Sequence, residues 1–216
     1  MIAADQPTIF PATLIAAVSS NSDGNMKFGI GLADQVRTHR QQFLRSVGIP
    51  PEHTTLVSVT YDTDDFAKYR VATYHDKTTG MDNPEVIEHA DALAVDQPNH
   101  ALFLPLADCV GAILYDPVRR VLMVSHLGRH SVEVSGGTRS AEYLQKTFQS
   151  DPRNVLVWLS PAVGNATYPL RAFGGKGLHE VIVQQLVAAG IPVDNIETSG
   201  VDTAQNEQYF SHSEFL

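Results

Sequence analysis

A single cysteine, Cys109, and a histidine seventeen residues later, His126, are the residues of this chain best suited to chemistry. A thiol beside an imidazole is an activated nucleophile or half of a metal site. The residues between them read as strand, turn, strand: Val110 to Tyr115, then Asp116-Pro117-Val118-Arg119-Arg120, then Val121 to Val124. A turn centred between Pro117 and Val118 puts Cys109 directly opposite His126 at the open end of a hairpin. Asp108 precedes the thiol in an otherwise apolar run. Gly128, two residues past the histidine, permits close approach of the backbone.

The elements that must hold this pair read off the pattern. Thr13 to Ser19, Thr55 to Thr60, Asp91 to Val95, Ala101 to Leu106, Asn154 to Leu159 and Ile196 to Ser199 are of strand length and composition. Asp34 to Val47 reads as a helix capped by Asp34 and stopped by Gly48. Arg139 to Phe148 and Leu178 to Ala189 are amphipathic helices. Residues 61–90 are polar and irregular, a long loop or lid. Without strict strand–helix alternation, the expectation is an α+β fold with mixed sheets flanked by helices, in one domain over 1–216.

Composition narrows the function. The chain has 216 residues, 43% of them hydrophobic and 18% charged, an ordinary globular balance. A net charge of −9 argues against nucleic acid and anionic membranes as partners. One cysteine excludes a disulfide framework and makes a reducing cytoplasm the expected location. No signal peptide, membrane-length apolar run, Walker motif or GxGxxG is present. A small-molecule substrate, handled by a monomer or homodimer, is expected.

The motifs together resemble a known family. Ala107-Asp108-Cys109, the hairpin with Tyr115-Asp116-Pro117, Ser125-His126-Leu127-Gly128 and Ser160-Pro161-Ala162-Val163-Gly164 with Tyr168 follow one another at the intervals of the YfiH-like laccase-domain proteins. These are also called polyphenol oxidases or peptidoglycan-editing factors. The pattern there is Gln-Val-His, ADC, HAGWRG, then GPAIG with a nearby tyrosine. Asp23-Gly24-Asn25-Met26, a helix carrying Arg40 and Phe43-Leu44, and Gly48-Ile49 resemble the family's first segment. The likeness covers most of residues 13–173.

The resemblance implies an α+β fold, once grouped with cysteine-hydrolase-like proteins. It implies a pocket where two histidines and the cysteine bind zinc or serve catalysis. The implied activity is phosphorolysis of purine nucleosides, with adenosine deamination as a second activity. Copper-dependent phenol oxidation, an older assignment, ranks last, because nine histidines without paired spacing do not suggest several copper centres.

The departures are specific. Thr60 stands where the first family histidine is expected. HAGWRG is reduced to His126-Leu127-Gly128-Arg129-His130. The tyrosine motif reads Ala166-Thr167-Tyr168-Pro169, and the C-terminal element reads Ser211-His212-Ser213-Glu214. Cys109 and His126 supply two zinc ligands; His75 is the first candidate for a third, with His130 and His212 behind it.

In a nucleoside phosphorylase, Arg40 and Arg129 are candidates for the phosphate, helped by the Ser135-Gly136-Gly137-Thr138 turn that opens a helix. His126 serves as general acid or base and Cys109 as ligand or polarising thiol. Asp108 orients the pair or accepts a ribose hydroxyl, and Thr60 and Tyr168 bind substrate. Two other readings stand beside this one. The first is a cysteine-dependent hydrolase or amidase on a cell-wall precursor; the second is a binding protein that has lost the metal triad.

Overall fold

The computed structural model of the chain describes residues 1–83 and 88–212. Helix α1 (Ala33–Ser46) is followed by strands β1 (Thr54–Leu56), β2 (Tyr69–Val71), β3 (Ala92–Val95) and β4 (Ala101–Phe103). The hairpin β5 (Val110–Asp116) and β6 (Val121–Leu127) comes next. Helices α2 (Arg129–Glu133) and α3 (Gly136–Phe148), strand β7 (Leu156–Leu159), helix α4 (Leu178–Ala188) and strand β8 (Ile196–Thr198) complete the order.

A mixed six-stranded sheet runs β2-β3-β6-β5-β7-β8, and β1 and β4 form a separate parallel pair. The fold is α+β with mixed sheets. Alternation along the central hairpin assigns its two faces. Ala112, Leu114, Met123 and Leu127 pack with Leu144 of α3 and Ile182 and Leu186 of α4. Ile113 and Val124 point the other way, towards Val57, Leu93 and Val95. A third cluster, Met26, Phe43, Leu44, Leu56 and Phe103, joins α1 to the β1–β4 pair. Cys109 and His126 share the parity of Ile113 and Val124. They therefore lie on the face turned away from α3 and α4.

Several expectations change. The apolar run 13–19 forms no strand among the described residues; it leaves a turn at Thr13 and lines a cleft. Helix α1 begins at Ala33, so Asp34 sits in its first turn and pairs with Arg37 at 2.5 Å instead of capping. The stretch 61–90 contains strand β2 and a 3-10 turn at Tyr74–Asp76, because β2 pairs in parallel with β3. Part of that stretch, 84–87, lies outside the described residues.

Candidate functional site

The hairpin register is Val110 with Leu127 and Asp116 with Val121, which centres the turn between Val118 and Arg119. His126 therefore pairs with Gly111, and Cys109 comes opposite Gly128, one step past the ladder. The expected direct pairing is off by two positions on one strand. A shift of two preserves the face, so the thiol and imidazole still meet as diagonal neighbours. A Cβ on Gly128 would lie 2.9 Å from Cys109 Sγ and 3.2 Å from His126 Cε1, so the glycine keeps the space between them open.

The turn before Cys109 is held in an unusual conformation. Asp108 has φ +76°, a left-handed value that asparagine and aspartate tolerate better than most residues. Its carbonyl accepts from the Val163 N–H at 3.0 Å, and its Oδ1 accepts from the Thr203 hydroxyl at 2.7 Å. Asp108 thus fixes the loop that presents the thiol. The His126 N–H donates to the Asp91 carbonyl at 2.8 Å, which fixes the other side.

A residue that the sequence reading passed over completes the cluster. The Tyr61 hydroxyl lies 3.5 Å from His126 Nε2 and 3.9 Å from Cys109 Sγ, and its ring meets His126 edge-on. Tyr61 as a whole is 59% exposed while its hydroxyl points into the cluster. Thr60, the expected substrate contact, turns its hydroxyl to the Asp62 N–H at 3.1 Å. The signal was one residue away, since Tyr61 directly follows the position singled out for the missing histidine.

All three groups favour their neutral forms. Burial, with the Lys27 charge adding to it, lowers His126 to about 4. Burial pushes the Cys109 thiol above its ordinary value, partly opposed by the Tyr61 hydrogen bond. Burial, then the neighbouring Cys109, raises the Tyr61 phenol. At neutral pH His126 is therefore a neutral imidazole, able to accept a proton or a hydrogen bond.

The cluster sits in the wall of a cleft of about 1410 Å³ whose lining is largely apolar. Tyr168, His130, Ser160 and Arg129 line the same cleft. Arg129 is exposed at the rim, 3.2 Å from His130 Nε2. His130 stacks on Phe66, with ring centroids 4.5 Å apart.

Other expected site residues are committed elsewhere. Arg40 is 2% exposed. It donates to the carbonyls of Met26 (2.7 Å), Gly80 (2.9 Å) and Met81 (3.0 Å) and lies over the Phe28 ring. Through Nε and Nη1 it staples α1 to two loops, and it lines the same cleft at a distance along the chain from Cys109 and His126. The 135–138 turn is not among the residues lining the cleft. The Gly137 N–H donates to Gln185 Oε1 at 2.9 Å, and a Cβ at Gly136 would collide with Ser131. His75 is exposed on the 3-10 turn beside Tyr74 and does not join Cys109 and His126.

Among the described residues no three His, Cys, Asp or Glu side chains are grouped to hold a metal. A zinc site therefore does not fit the donors present. His212 lines the cleft, while Ser213 and Glu214 lie outside the described residues. No helix among the described residues is long and apolar enough to cross a membrane.

The comparisons agree with this architecture. The protein YfiH of Bacillus licheniformis superposes with a TM-score of 0.79 at 22% identity, over 87% of this chain and 79% of that one. YlmD of Geobacillus stearothermophilus gives 0.79 at 20% identity, over 96% and 82%. A curated relative from Bacteroides thetaiotaomicron, named purine nucleoside phosphorylase, is 20% identical over 208 residues, 85% of this chain and 74% of its own length. The family described as multi-copper polyphenol oxidoreductase laccase matches residues 16–173, a span that takes in Tyr61, Cys109, His126 and Tyr168. By that match, and by the fold it shares with YfiH and YlmD, the chain belongs to this YfiH-like laccase family.

Proposed function

We propose that this protein is an enzyme of purine nucleosides that cleaves the glycosidic bond with phosphate. The observation that carries the reading is a neutral polar cluster, Tyr61, Cys109 and His126, in the wall of a largely apolar cleft of about 1410 Å³. Such a wall suits an uncharged heterocycle, whose faces are apolar and whose edge carries ring nitrogens. The relative named purine nucleoside phosphorylase supports the same substrate class.

In this reading a phosphate oxygen bonds to C1′ of the ribose as the C1′–N bond breaks. The electron pair passes to the purine, and the proton lost by the phosphate ends there. Tyr61 and His126 hydrogen-bond the departing base. Arg129, exposed in the cleft lining and 4.0 Å from Glu133, would be the side chain that receives phosphate. Tyr168 supplies an aromatic edge to the base or sugar.

The hydrolase reading is less well supported. A nucleophilic cysteine needs thiolate character, and burial raises this thiol while His126 stays neutral. A binding role without turnover keeps one argument, the incomplete donor set. Adenosine incubated with and without phosphate separates these readings. Release of adenine only when phosphate is present supports phosphorolysis, and release independent of phosphate would sink it.

A further inference from the structure

We propose that Tyr61 takes the place of a third metal ligand, making this pocket a metal-free cluster of thiol, imidazole and phenol that holds its ligand by hydrogen bonds. A catalytic zinc draws three protein donors from His, Cys, Asp and Glu. Cys109 and His126 provide two, and no group of three such side chains exists among the described residues. The polar group that stands beside both instead is the Tyr61 hydroxyl, 3.5 Å from the imidazole and 3.9 Å from the sulfur.

The other candidates are engaged elsewhere. Asp108 accepts from Thr203. His130 lies flat on Phe66 with Arg129 at its Nε2. His179 Nε2 donates to the Ser160 carbonyl at 2.8 Å. His212 stands exposed at the cleft without a place in a group of three.

The consequence is chemical selectivity. A dication in this wall would attract anionic oxygens; three neutral groups present weak donors and acceptors instead. They match the ring nitrogens and exocyclic groups of an uncharged heterocycle, which deepens the nucleoside reading and rests on it for the ligand class. The composition of the cluster stands apart from that reading, because metal and thiol are measured without substrate.

The test uses metal-stripped full-length protein titrated with cobalt(II) and, separately, zinc. Two signals are followed: the cobalt–thiolate charge-transfer absorption and the rate at which iodoacetamide alkylates Cys109, the only cysteine. The expected result is no thiolate band and an alkylation rate that equimolar zinc leaves unchanged to within about twofold. Tyr61→Phe is expected to leave both metal signals absent. It is also expected to slow alkylation near pH 8 about threefold, through loss of the phenol hydrogen bond to the thiolate. A one-equivalent cobalt–thiolate band that Cys109→Ser removes would overturn the proposal. So would zinc protection that a chelator reverses, or an alkylation rate that Tyr61→Phe does not change.

Discussion

Gly128 stands opposite Cys109 at the open end of the β5–β6 hairpin, and a Cβ there would come within 2.9 Å of Sγ. Its backbone, at φ −88°, is one any residue adopts, so the requirement for glycine is one of space. Gly128→Ala should therefore push the thiol and His126 apart without straining the chain. The expected cost is about 1–2 kcal/mol in urea denaturation, typical of overpacking, with a larger loss of turnover than of stability. Stability and activity both at wild-type level would show that the gap has no role.

Cys109 reactivity should follow a late pH profile. Its thiol is held up by burial, and the Tyr61 hydrogen bond only partly offsets this. Alkylation by iodoacetamide is expected to rise at higher pH than for a free thiol, near 8.5. A profile with a midpoint below pH 7 would restore the nucleophilic reading.

His126 links the site to stability. Its folded value is lowered to about 4, so the unfolded chain binds more protons between that value and the ordinary histidine value of 6.5. Stability should rise with pH across that window and fall on acidification through it, by up to about 3 kcal/mol. His126→Asn should flatten that slope. An equal slope in the variant and the wild type would place the acid sensitivity elsewhere.

Arg40 should prove structural. Replacing it with Met leaves the carbonyls of Met26, Gly80 and Met81 without their donor, for a loss of about 3 kcal/mol. Arg40→Lys should recover little, since one ammonium cannot reproduce the planar fork. Chemical denaturation measures this directly. Normal stability with a raised phosphate KM would return Arg40 to the substrate site.

The part of this site that depends on local pattern was legible in the sequence. The hairpin, its turn residues and the shared face of Cys109 and His126 all follow from a two-residue period, and the register error of two could not disturb the face. The helices at α1, α3 and α4 came within a few residues, because their apolar faces repeat. What was not legible depends on contacts distant in sequence. The run 13–19 has strand composition but finds no ladder partner among the described residues. Arg40 has the chemistry of a phosphate ligand, and only the fold brings three carbonyls to it. Tyr61 reaches Cys109 across 48 positions, so no local spacing announces it.

The central claim is tested most directly by the fate of the phosphate. Wild-type, Cys109→Ala and Tyr61→Phe proteins, stripped of metal, would be incubated with adenosine and phosphate and followed by phosphorus NMR. The account predicts a ribose 1-phosphate signal growing in step with free adenine in the wild type, and a loss of about tenfold or more in each variant. Adenine without ribose 1-phosphate, or no product from folded wild-type protein with adenosine or inosine, would contradict it.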